Sequence, residues 1–155
     1  MSIIERFLED HRAFRRHLED SLKTAAAMAP GSLPPFLSEE EKIFAQRLRR
    51  HARMESEILF PAMQRAGTDH SRQTAVQHFI SHGNDDHSSV AKRHAELHSI
   101  AEGEPLVKWR TCLEHFIEGL LQHMAHEEKE IFPLAQKLLS PSVLIDLNQK
   151  AESIP

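Results

Sequence analysis

Two short stretches of this chain carry side chains that could do chemistry together. One is His51-Ala-Arg-Met-Glu55-Ser-Glu-Ile-Leu-Phe60-Pro61, and the other is His123-Met-Ala-His-Glu127-Glu-Lys-Glu-Ile-Phe132-Pro133. Both read H-x-x-x-E, followed by an aliphatic residue, Phe and Pro at matching offsets, and the copies lie 72 residues apart. On a helix, residues four apart share a face. Each copy therefore aims one imidazole and one carboxylate the same way. A carboxylate on an apolar stripe is costly unless a partner or a cation balances it. Two facing carboxylates would repel, and one would stay protonated, unless a pair of divalent cations removes the difficulty. Imidazole and carboxylate without thiolate suit iron, manganese or zinc.

The elements that must position these groups can be read from caps and periodicity. Ser2 and Glu5 form a capping box, opening a helix whose stripe is Ile4, Phe7, His11, Phe14, Leu18, Leu22 and Ala25. Ala29-Pro30-Gly31 stops it. Pro34 and Pro35 suit the opening of a second helix, with Leu37, Phe44, Leu48, His51, Glu55, Leu59 and Ala62 on one face and Gly67 at its end. A third runs from about Asp69 to Ala101, with Val76, Ile80, Gly83, His87, Val90, His94, Leu97 and Ala101 aligned and Gly83 a point of disturbance. The fourth carries Leu113, Phe116, Leu120, His123, Glu127, Ile131, Leu134 and Leu138. Ser140-Pro141 starts a short terminal helix through about Ser153. Long helices joined by short loops favour an all-α, up-down-up-down four-helix bundle with a short C-terminal helix. The reading is a single domain over 1–155, made of helical hairpins at about 2–66 and 69–138 and a terminal helix at about 141–153.

The hairpins repeat one pattern. Helices two and four match at offset 72, and helices one and three at offset 76, pairing Ile4 with Ile80, Asp10 with Asp86 and His11 with His87. Paired about a pseudo-twofold axis, they bring His11, His51, His87, His123, Glu55 and Glu127 to one level. Two His per metal and two bridging Glu, with an oxo or hydroxo bridge, leave a position open for a small ligand. A gap near Gly83, opposite Phe7, is the expected seat of that ligand. His94 is expected in the pocket or supporting the ligands. His126 reads as flanking; His17, His70, His78, His82, His98 and His115 read as solvated surface. Each Pro of the two Phe-Pro pairs frees a carbonyl four residues back and should kink its helix just past the site.

Totals narrow the classes further. A net charge of −4 with mixed signs argues against a general nucleic-acid binder. The single Cys112 cannot form an internal disulfide, which points to a reducing compartment, here the cytoplasm. No apolar run approaches the roughly 18 residues of a membrane span.

At Glu9-Asp-His11, His51-x-x-x-Glu55 with Leu59-Phe-Pro61, Asp85-Asp-His87 and His123-x-x-x-Glu127-Glu128 with Ile131-Phe-Pro133, the chain resembles the hemerythrin-like (HHE cation-binding) family. The similarity reaches to about Leu139. It implies a four-helix bundle around a non-heme di-iron centre, with His11, His51, His87 and His123 as ligands and Glu55 and Glu127 as bridges. The chain departs from the oxygen carriers of the family, which have His where Gly83 stands and a bridging Asp five residues after the last His. Its six-ligand set looks closer to that of the bacterial iron-sulfur-cluster repair members, without their N-terminal Cys-containing region. The function this implies is binding or sensing of oxygen or nitric oxide, with catalysis left open. The alternatives are an enzyme acting on peroxide or nitric oxide, and an iron-handling or iron-sulfur repair protein. On any of these readings a redox or signalling partner protein is possible, its identity open. A ferritin-type oxidase would use Glu-x-x-His on the core stripes, and no such pair lies there.

Overall fold

The computed structural model describes residues 1–29, 38–67, 69–101 and 106–155, with the side chains of 100, 101 and 106 outside that description. The described residues form helices and no strand. They are α1 (Ile3–Ala27), α2 (Glu39–Met54), α3 (Phe60–Ala66), α4 (His70–Ala101), α5 (Leu106–His126), α6 (Phe132–Leu138) and α7 (Pro141–Ala151). Five-residue π-helical turns, π1 (Glu55–Leu59) and π2 (Glu127–Ile131), join α2 to α3 and α5 to α6.

Local chemistry sets most of the helix ends. Ser2 Oγ accepts from the Glu5 N–H at 3.3 Å while Glu5 accepts from the Ser2 N–H at 2.7 Å, which completes the expected capping box. Ser38 caps α2 through the Glu41 N–H at 3.2 Å. The expected opening at Pro34 and Pro35, and Leu37 on the stripe, lie outside the described residues. Ser140 caps α7, with Pro141 at its first turn. Arg50 bonds the carbonyls of Ala151 and Ile154 at 3.1 and 2.8 Å. A cation at the negative end of α7 is favourable, and it fastens that helix to α2. α4 runs unbroken through Gly83.

The core is built in two apolar clusters. One gathers Phe7, Met54, Phe60, Met63 and Phe132 with Leu144, Leu147 and Ala151 of α7. The other gathers Phe14, Phe44, Leu97, Trp109, Phe116 and Leu120. Burying each large side chain contributes about 1.5–3 kcal/mol. Leu22, expected on the buried face of α1, is instead 39% exposed; the cluster ends at Leu18 and Ala25 and leaves it outside. His11, His51, Glu55 and Glu127 sit between the clusters, each 0–3% exposed. A polar layer thus crosses an otherwise apolar interior. No described helix is long and apolar enough to cross a membrane.

Candidate metal centre

The two π turns begin at the two carboxylates. Glu55 is the first residue of π1 and Glu127 the first of π2, so the offset of 72 in sequence is kept in structure. The cause is readable in each Phe-Pro pair. Pro61 and Pro133 have no N–H to give the carbonyl four residues back. The chain widens by one residue instead, and the N–H groups of Phe60 and Phe132 reach the carbonyls of Glu55 and Glu127. Such single π turns concentrate at functional sites. The expected kink is here a local widening before each Pro, with the helix continuing as α3 and α6.

All six expected ligands converge. Glu127 Oε2 lies 3.1 Å from His11 Nε2 and 4.0 Å from His51 Nε2. Its other oxygen, Oε1, lies 2.7 Å from His123 Nε2 and 3.6 Å from His87 Nε2. Glu55 splits the same way, with Oε1 3.7 Å from His51 Nε2 and Oε2 2.8 Å from His87 Nε2. One oxygen of each carboxylate thus faces the His11–His51 side and the other the His87–His123 side. Two donor groups result, Glu55/His87/His123/Glu127 and His11/His51/Glu127, with ligand atoms in each within 4.8 Å of one another.

At His11 and His51 the outer ring nitrogens explain the inward aim. His11 Nδ1 bonds Glu128 Oε1 at 2.8 Å, and Arg15 reaches the same oxygen at 2.8 Å. His51 Nδ1 bonds Asp10 Oδ2 at 3.2 Å, and Arg47 holds the other Asp10 oxygen at 2.7 Å. His123 Nδ1 lies 3.5 Å from Asp86 Oδ2 without a hydrogen bond. A proton held at Nδ1 by an outer carboxylate leaves the Nε2 lone pair facing inward, which is how proteins orient histidine ligands. Phe7 and Phe14 pack against the His51 ring at 4.9 and 5.4 Å and close the layer on both sides.

The donors fit a pair of cations. Glu55 and Glu127 are 0% exposed, and removing a carboxylate from water costs several kcal/mol. Glu55 Oε1 and both oxygens of Glu127 accept no hydrogen bond. His11 Nε2 and His51 Nε2 face each other at 3.3 Å. Buried acceptors without donors, with ring nitrogens converging on them, need positive charge between them. Without a metal, protons take that place. Burial opposes a charged ring at His51 and His87. At His51 the carboxylates of Glu55, Asp10 and Glu127 outweigh burial and raise the pKa to about 10. At His87, Glu127 and Glu55 raise it to about 9. Burial would raise the Glu127 pKa, but the imidazoles of His11, His123, His51 and His87 hold it well below the usual carboxylate range.

The other expected positions fall elsewhere. Gly83 leaves no gap, because a Cβ there would lie 3.2 Å from the Phe60 ring and 3.6 Å from Ile131. Phe7 stacks on Phe132 at 5.6 Å. The space that reaches the four imidazoles is a groove of about 710 Å³ between α2 and α4, floored by Phe14 and Leu120. Neither Phe7 nor Gly83 lines it, whereas His94 does. His94 bonds Glu41 at 2.8 Å rather than any of the six. His17 and His98, read as solvated surface, also gather at Glu41. Sequence reasoning passed over Asp10, Asp86, Glu128 and Glu41. The doubled Asp-His pair signalled the first two. Glu41 stands on the buried face of α2 three residues before Phe44, where a carboxylate is as costly as at Glu55.

No curated protein and no solved structure matches the chain. The family described as the hemerythrin HHE cation binding domain matches residues 2–135. That span holds all six converging side chains and both π turns, and the chain belongs to this family of metal-binding domains.

Proposed function

We propose that the centre holds two iron ions joined by an oxo or hydroxo bridge, and that the protein binds or senses oxygen or nitric oxide there. In this reading His11 and His51 ligate one ion, His87 and His123 the other, and Glu55 and Glu127 span both. The observation that carries it is the split of each buried carboxylate, one oxygen toward each imidazole pair, with three of the four oxygens accepting no hydrogen bond and the fourth, Glu55 Oε2, met by His87 Nε2. Ferrous iron bound here would supply an open coordination position and electron density to a diatomic ligand. The chain supplies the rest. Asp10 and Glu128 hold ring protons at the outer nitrogens of His51 and His11. Phe7, Phe14 and Phe132 exclude water, and the groove between α2 and α4 gives a small ligand its approach. The proposal includes a single domain folded as an up-down-up-down four-helix bundle with α7 appended. It also includes a reducing, cytoplasmic setting, in keeping with one cysteine.

The test is metal analysis of anaerobically purified protein, then optical spectra on adding oxygen or nitric oxide. The expected result is two irons per chain and a stable charge-transfer band with one gas. Rapid turnover of peroxide or nitric oxide would favour an enzyme instead. Fewer than one iron per chain, or no optical response to either gas, would overturn the reading.

A further inference from the structure

A second set of donors lies on the same groove, apart from the six. Glu41 is 3% exposed and comes from the first turn of α2. His94 Nε2 meets its Oε1 at 2.8 Å, and His17 Nε2 meets its Oε2 at 2.8 Å. His98 stands one turn beyond His94 on α4, with ring centroids 5.0 Å apart. Glu41, His94 and His98 offer ligand atoms that all lie within 4.8 Å of one another. Glu41 thus has an imidazole on each of its two oxygens and a third within reach of the same ligand position.

We propose that Glu41, His94 and His98 form a mononuclear site for a divalent cation of the zinc type. Two histidines four apart on one helix face are a common zinc-binding pair, and a carboxylate oxygen completes a three-ligand set. Metal–ligand distances of about 2.0–2.2 Å put neighbouring donors about 3–3.5 Å apart, so the 2.8 Å between His94 and Glu41 must open slightly, and His98 already offers its ligand atom within 4.8 Å of both. The donors are already oriented. His17 holds the far oxygen of Glu41 and stacks on Phe44 at 4.1 Å. Phe116 packs against His94 at 5.1 Å. His94 and His98 also line the groove, which gives an ion a path in. Ala95 follows His94 where a zinc hydrolase of the H-E-x-x-H type would place its Glu base, so the site is assigned to binding and not to hydrolysis. The pseudo-twofold relation does not generate it. Offset by 72, Glu41 falls on Leu113, and offset by 76, His94 and His98 fall on Leu18 and Leu22.

The proposal stands independently of the metal in the six-ligand centre, and its test compares variants. Full-length protein, first loaded with iron anaerobically, is titrated with zinc against a chromophoric chelator, and with cobalt(II) as an optical probe. The expected result is one more zinc equivalent in the wild type than in His98→Ala, with His94→Ala binding that zinc at least tenfold more weakly. Both variants should keep the wild-type iron content, which shows that they fold. The cobalt absorption bands of that equivalent should vanish with it. Equal zinc stoichiometry and affinity in wild type and both variants would overturn the site, whatever the iron content proves to be.

Discussion

At the scale of single residues, the centre depends on groups that never touch its middle. Asp10 is the clearest. It lies behind His51, holds the outer ring nitrogen, and is itself fixed by Arg47. Removing such an orienting carboxylate typically costs 10–100-fold in metal affinity. Asp10→Asn should therefore weaken metal binding by about that factor in chelator competition without abolishing it. Asp86→Asn should cost less, because Asp86 stands 3.5 Å from His123. The same residues set a pH dependence for the metal-free protein. A pKa raised by folding adds stability that is complete below the unfolded value of 6.5 and lost as pH climbs through about 10, as at His51. The lowered pKa of Glu127 does the reverse, adding stability present above the unfolded 4.5 and lost in acid. Metal-free protein should thus be most stable between pH 4.5 and 6.5, seen as a maximum in the urea midpoint. His51→Gln should flatten the alkaline limb. The six inner residues were legible because polar side chains on apolar stripes stand out. Asp10 was legible only as half of a repeated pair, since nothing in a one-dimensional spacing says which ring it will meet.

At the scale of elements, caps and prolines did most of the specifying. Ser2, Ser140 and the Phe-Pro pairs told where helices begin and what disturbs them. The widening into π turns was not legible, because a stripe read at three and four residues barely changes when one turn gains a residue. Gly83 shows the opposite limit. A glycine on a helix stripe reads as an opening, yet here it is a place where α4 closes against the Phe60 ring of α3. Overpacking such a contact costs about 1–3 kcal/mol, and helix propensity recovers at most about 1 kcal/mol. Gly83→Leu should therefore lower the melting temperature, and it should leave the ligand-association rate of iron-loaded protein unchanged because the groove lies elsewhere.

At the scale of the whole molecule, two hairpins of one pattern meet in a shared polar layer, but they are not equal. His11 has Glu128 behind it, whereas offset by 72 that position is Ser56, which bonds Ala52 and Asn84 instead. His87 Nδ1 is buried without a partner. The repeat was legible in sequence; the groove was not, because it arises from how far α2 and α4 stand apart over Phe14 and Leu120. Ala91 lines the groove and is exposed, so bulk there need not disturb the core. Ala91→Trp should slow association of oxygen or nitric oxide with iron-loaded protein several-fold in stopped flow, with unchanged iron content.

The two widened turns also bear on timing. The Phe60 and Phe132 amides are tied to the carbonyls of the residues whose carboxylates face each other across the polar layer. Opening either turn must pull a carboxylate away from its imidazoles, so these backbone protons report on the centre directly. Deuterium uptake at Phe60 and Phe132 should slow on loading with metal far more than uptake in α7, whose fastening through Arg50 is the same in both states.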